Sequence, residues 1–196
     1  FKSLENNTTG ASNTALGQDS LRANTTASNN TAVGLDSLTA NTTGTNNTAC
    51  GMQSLKANTT ASNNTAVGLN ALVTNTTGAN NTALGSSALT DSTTGADNTA
   101  VGYQALQQNT TGHSNTAVGK VSLVANTQGL RNSAFGFNAG GGISNGDDNT
   151  MIGIFAGNHS VGTTTGNQNT LIGAQTRADA ANSGQTVAIG YDVAGT

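Results

Sequence analysis

The chain has 196 residues, no proline, no tryptophan, 3% aromatic and 8% charged residues, and a formal net charge of −3. Charges this sparse and scattered exclude a basic nucleic-acid surface, no apolar run approaches the ~20 residues of a membrane helix, and the single Cys50 excludes an internal disulfide or a CxxC metal site. Large apolar side chains are scarce, yet disordered chains are rich in charge and proline, and this one has neither.

The order in the chain lies in its period. A hexad such as "NNTAVG" at residues 29–34 returns at 63–68, and its glycine recurs at Gly17, Gly34, Gly51, Gly68, Gly85, Gly102, Gly119, Gly136 and Gly153, always 17 residues on. The next steps are 20 residues to Gly173 and 17 to Gly190. A fixed period of this length marks a solenoid-like array rather than a globular domain. The chain starts just after the glycine position with Phe1 and stops just beyond Gly190. Both ends therefore fall inside a repeat, as in a segment of a longer fibre.

Number the Asn of "NTAVG" column 1 and the glycine column 5. Column 4 is apolar in every repeat and largely β-branched: Leu16, Val33, Cys50, Val67, Leu84, Val101, Val118, Phe135, Ile152, Ile172 and Ile189. That composition predicts a strand. Column 3 is alanine from Ala15 to Ala134, then Met151, Leu171 and Ala188. Neighbouring strand residues point to opposite faces, so one of these columns lines the coil and the other needs cover. The expected core is column 4 (Val33, Val67, Leu84, Val101, Val118, Phe135, Ile152, Ile172, Ile189), with Cys50 as a small apolar filler. The alanine column is expected to lie against sister chains. Column 1, from Asn13 to Asn169, is expected to stack as a side-chain amide ladder between coils about 4.8 Å apart.

After the glycine, segments such as "LDSLTAN" and "YQALQQN" carry a leucine at column 9, from Leu21 to Leu123. A short strand with a bend is the expectation here, with a single helical turn as the alternative. The "NTT" that follows, then Gly or Ala, reads as a polar turn. It also creates N-x-[ST] sequons at Asn7, Asn24, Asn41, Asn58, Asn75 and Asn109, joined by Asn29, Asn46, Asn63 and Asn80 in "NNT". These are read as by-products of the stacking rather than as glycan acceptors.

Residues 1–131 hold the regular repeats and 132–196 the divergent ones. Gly140 and Gly157 replace the column 9 leucine, while Phe135, Phe137, Ile152, Ile154 and Phe155 enlarge columns 4 to 7. The large side chains are expected to move to the first strand there, and the coil's cross-section to change. The three extra residues fall within 159–166, "HSVGTTTG", a protruding loop.

The motifs "NTAVG" and "NTLIG", and the closing "TVAIGYDVAGT", resemble the head repeats of YadA-type trimeric autotransporter adhesins. The "NTAVGYQAL" style is also similar to bacteriophage tail-fibre repeats. The resemblance implies an all-β, left-handed parallel β-roll of about eleven 17-residue coils, assembled as a homotrimer. It also implies an extracellular, cell-surface or virion tail-fibre location, and a host cell-surface receptor or glycan as partner. Family repeats are commonly shorter, at 14 residues, so the connecting segment must be built differently.

For catalysis the residues offer little. His113 and His159 stand in turns far apart along the stack, and the many Ser and Thr lack a His–Asp arrangement. No enzyme, cofactor or resident metal is expected. Adjacent Asp147 and Asp148 could touch a cation, but no calcium-binding repeat accompanies them. If this segment itself binds a ligand, the irregular loops around Gly140–Asp148 and His159–Thr165 are the place, with Asp147, Asp148, His159, Thr163 and Thr164 as candidates. A threonine row on a flat β-solenoid is the alternative, as an ice-binding face. Against it, consecutive threonines in "TT" should face opposite ways if that segment is a strand.

Overall fold

The computed structural model describes residues 2–158, 165–178 and 184–195. Each "TAV"-type triplet forms a short strand: β1 (Thr14–Leu16), β2 (Thr31–Val33), β3 (Thr48–Cys50), β4 (Thr65–Val67), β5 (Thr82–Leu84), β6 (Thr99–Val101) and β7 (Thr116–Val118). The series continues through β8 (Ser133–Phe135), β9 (Thr150–Ile152), β10 (Thr170–Ile172), β11 (Arg177–Ala178), β12 (Val187–Ile189) and β13 (Ala194–Gly195). Strands β1 to β10 and β12 make one 11-stranded parallel sheet in sequence order, while β11 and β13 pair separately. Register is column on column, as in Thr31↔Thr48, Ala32↔Ala49 and Val33↔Cys50. The fold is an all-β parallel solenoid of 17-residue coils.

The stack is tied at every rung. From Asn30 onward the column 1 asparagines are buried, and each Oδ1 accepts the N–H of the column 1 residue one coil on, as from Asn47 to Asn30 at 2.9 Å. The Nδ2 donates to the column 15 carbonyl 14 residues on, as from Asn30 to Gly44 at 2.9 Å. A second ladder runs through column 12, the "NTT" asparagines. Asn41 Nδ2 donates to Asn24 Oδ1 at 3.1 Å and Asn58 Nδ2 to Asn41 Oδ1 at 2.9 Å. Asn24, Asn41, Asn58, Asn75 and Asn109 are thus fully buried sequons whose amides are in use or enclosed. The Asn29, Asn46, Asn63 and Asn80 sequons are exposed. Glycine at column 5 is a steric requirement. At Gly85, with φ +142°, a Cβ would lie 2.4 Å from the carbonyl oxygen of Gly102 on the next coil.

The interior is the reverse of the expected one. The alanine column faces inward: Ala32, Ala49, Ala66, Ala83, Ala100 and Ala117 are fully buried against Leu21, Leu38, Leu55, Leu72, Leu89, Leu106 and Leu123. Column 4 faces outward. Val67, Leu84, Phe135, Ile152 and Ile189 are exposed and Val33, Val101, Val118 and Ile172 half-buried, so none of the nine is core. Cys50 is exposed as well, not a filler. The reason is volume: a coil this narrow takes one leucine from its far wall and has room opposite for little more than a methyl group.

Two further expectations change. The stretch after the glycine is a run of turns, not a strand and not a helix. It alternates residues at positive φ, such as Asp36 (56°) and Leu38 (52°), and still bonds rung to rung, with Leu38 N–H to Ser54 O at 3.0 Å and Asp36 N–H to Gln18 O at 3.0 Å. Beyond residue 132 the volume lost at Gly140 and Gly157 returns through column 3, as Met151 and Leu171, both buried. The enlarged residues Phe135, Phe137, Ile152 and Ile154 lie outside.

Candidate functional surface

The residues proposed as ligand contacts are taken up by the stack. In column 16 a side chain accepts the N–H of the preceding coil: Ser28 from Ala11, Ser62 from Thr45, His113 Nδ1 from Ala96 at 3.1 Å. Asp147 does the same, its Oδ1 accepting from Leu130 N–H at 2.8 Å. In column 17, Asp148 receives two bonds from the Arg131 guanidinium, at 2.6 and 2.8 Å. Those hydrogen bonds first, and the charge after them, hold the Asp148 carboxyl below its ordinary range, and Asp148 in turn raises Arg131. His159, Thr163 and Thr164 lie outside the described residues. Among the described residues, no three His, Cys, Asp or Glu side chains gather as a metal site would require.

The same two columns run along coils that sequence reading treated separately. Asn46, Asn63, Asn80 and Asp97 form an exposed chain of column 17 bonds at 3.0–3.2 Å. Alignment of the repeats, with His113 and Asp147 under Ser28 and Ser62, carries the signal that these residues serve the stack. Phe155, Asn158, Gln175 and Arg177 line an open groove of about 290 Å³.

The most extended surface feature is apolar. The strand's outer face carries column 4, and column 6 follows just past the glycine. Together they expose Leu16 (67%), Leu35, Met52, Val67, Leu69, Leu84, Tyr103, Phe135, Phe137, Ile152, Ile154, Ile189 and Tyr191 (74%). Side chains repeating once per coil in an in-register sheet make one continuous stripe from the first strand to the last. Five of the six lysines and arginines meet a carboxylate. The sixth, Lys120 in column 6, lies over the Tyr103 and Phe137 rings, 5.8 and 5.9 Å from their centroids.

The "TT" pairs divide their labour. Column 13 hydroxyls bond inward to the stack, Thr42 to Thr59 O at 3.0 Å and Thr76 to Thr93 O at 3.0 Å. Column 14 points to solvent, with Thr26, Thr43, Thr60, Thr77, Thr94 and Thr111 all exposed.

Neither a family model, a curated protein nor a solved structure matches this chain.

Proposed function

We propose that the chain is a non-catalytic structural and adhesive segment of a fibre, displayed on a cell surface or a virion tail, that acts as a stiff spacer and offers its flanks to a host receptor or glycan. The observation that carries this reading is the rung-to-rung bonding: two buried asparagine ladders, column 13 hydroxyls and an in-register sheet all run along one axis. Stiffness is what such an array supplies, because bending it stretches hydrogen bonds on every rung at once. Eleven rungs at ~4.8 Å give a rod of about 50 Å. The resemblance of the repeats to adhesin heads supports packing of copies side by side, three about a common axis.

Scattering or electron microscopy of the purified chain, together with binding to candidate host cells, tests the proposal. A rod of that length with saturable binding is expected. A flexible or globular particle removes the spacer role, and a rod that shortens polysaccharides mixed with it removes the non-catalytic one.

A second reading rests on the exposed column 14 threonines, evenly spaced with one on each of six successive coils. An ice-binding face needs such a row, and column 14 supplies a single one, because the column 13 partner of each "TT" pair turns into the stack. Inhibition of ice recrystallisation would favour it, and no effect at high protein concentration would remove it.

A further inference from the structure

We infer that copies of this chain meet through the outer face of the long sheet, with column 4 at the centre of the contact. The inference rests on the proposal that copies pack side by side, and it moves the contact from the alanine column to the opposite face.

Its anatomy is that of an interface. Column 4 holds no polar or charged member from Leu16 to Ile189 apart from the Cys50 thiol. On one side lies column 2, threonine or serine in ten of the eleven strands of the sheet, the exception being Val187. On the other lies column 6, where apolar residues are interrupted by Gln18, Ser86 and Lys120. An apolar face bordered by a polar rim, here column 2, is the pattern of a contact surface. Ordinary surfaces scatter their apolar residues singly.

The occupant follows from period and length. The stripe is narrow, runs the whole sheet and repeats at ~4.8 Å, the coil rise. A compact partner would cover only part of it. A partner that matches every rung must present its own apolar row at the same rise over the same length, and a second copy of this chain does so. The alanine column cannot contribute, because from Ala32 onward it is buried inside the coils.

Cys50 reports on the contact, as the one thiol in the chain, exposed in the isolated subunit and placed in the central column. The experiment measures native mass and Cys50 maleimide labelling on the wild type, on Val67→Glu/Val101→Glu, and on the control Thr60→Glu/Thr94→Glu, with circular dichroism to check folding. Wild type and control are expected as multimers whose Cys50 labels roughly tenfold more slowly, or slower still, than in the column 4 variant, since thiol reactivity follows exposure. The column 4 variant is expected as folded monomers that label fast. A wild type that is monomeric at all concentrations overturns side-by-side packing itself. A wild-type multimer with freely labelling Cys50 overturns this face alone, and so does a column 4 variant that keeps its mass and its protection. Should the column 4 variant unfold, the wild-type labelling rate, compared with that of denatured chain, still decides.

Discussion

From Leu21 to Leu123 each coil fills its interior with one leucine from the turn segment set against alanines of the strand column. From Gly140 to Leu171 the same space is filled from the other wall. Gly140 and Gly157 stand where the leucine was, and Met151 and Leu171 stand where alanine was. The fit is close on both sides. A Cβ on Gly140 would come 2.7 Å from Met151 Cε and 2.8 Å from Leu123 Cδ2, and one on Gly157 would come 2.6 Å from Met151 Cγ. The comparison teaches that the conserved quantity is the volume enclosed per coil. The backbone does not dictate which wall supplies it, since Gly140 (φ 63°) and Gly157 (φ 67°) keep nearly the conformation of Leu72 (φ 52°) and Leu123 (φ 49°).

The largest expected effect comes from emptying a regular coil. Leu72→Ala removes the whole filling of its level and leaves alanines facing one another, at a cost of about 3 kcal/mol. For a chain of this size that lowers the thermal midpoint by about 6–12 °C, and calorimetry checks it. Next comes overfilling the divergent coils. Gly157→Leu alone drives a side chain into Met151 and costs about 1–3 kcal/mol. Combined with Met151→Ala it recreates the regular arrangement, because the position already holds the backbone conformation that eight leucines adopt elsewhere. The double variant should be more stable than the sum of the two single changes predicts, by about 0.5–3 kcal/mol of coupling. Strict additivity would show that the two walls do not share one space.

The sequence made the period, the parallel stacking, the column 1 amide ladder and the glycine column legible, because each depends only on what recurs. It left the inside and outside of the strand open, since alternation says that columns 3 and 4 oppose without saying which is enclosed. Ranking by hydrophobicity chose the valines, whereas packing volume chose the alanines. The deciding signal was present: Met151 and Leu171 enter column 3 where Gly140 and Gly157 enter column 9, while column 4 varies through Val, Cys, Leu, Phe and Ile with no such exchange. The turn segment was less accessible. Leucine and Val121 at positive φ contradict local preference, and only burial in the stacked interior and the bonds to both neighbouring coils hold them there. The candidate site misled for a related reason. Asp147 and Asp148 look irregular beside "GGGISNG", yet they occupy the ladder columns of Ser28 and Asn29.

Smaller effects sharpen the comparison within the regular coils, where one rung departs from its neighbours. Ser92 stands in the column 12 asparagine ladder, too short to reach, and both Asn75 Oδ1 and Ser92 Oγ are buried without a partner. Ser92→Asn should restore the bond seen at 3.0 Å between Asn75 and Asn58 and stabilise by about 1–2 kcal/mol, raising the thermal midpoint by about 2–8 °C. Failure to stabilise would mean that solvent already fills the gap at no cost.

The smallest effect belongs to Arg131 and Asp148, at the junction of the two regions. The pair is solvent-exposed, and the Asp148 carboxyl sits below its ordinary range because Arg131 bonds it. A carboxylate with a lower pKa in the folded state than in the unfolded one adds stability above the unfolded value, near 3.9, and loses it as pH falls through the folded pKa. Asp148→Asn should therefore melt slightly below the wild type at pH 7 and together with it in acid, the difference closing below about pH 4. Salt should narrow the gap at neutral pH, because an exposed pair is screened. A gap that persisted unchanged in acid would assign the effect of Asp148→Asn to something other than the ion pair, and would leave the junction between the two regions held by its backbone bonds and asparagine ladders.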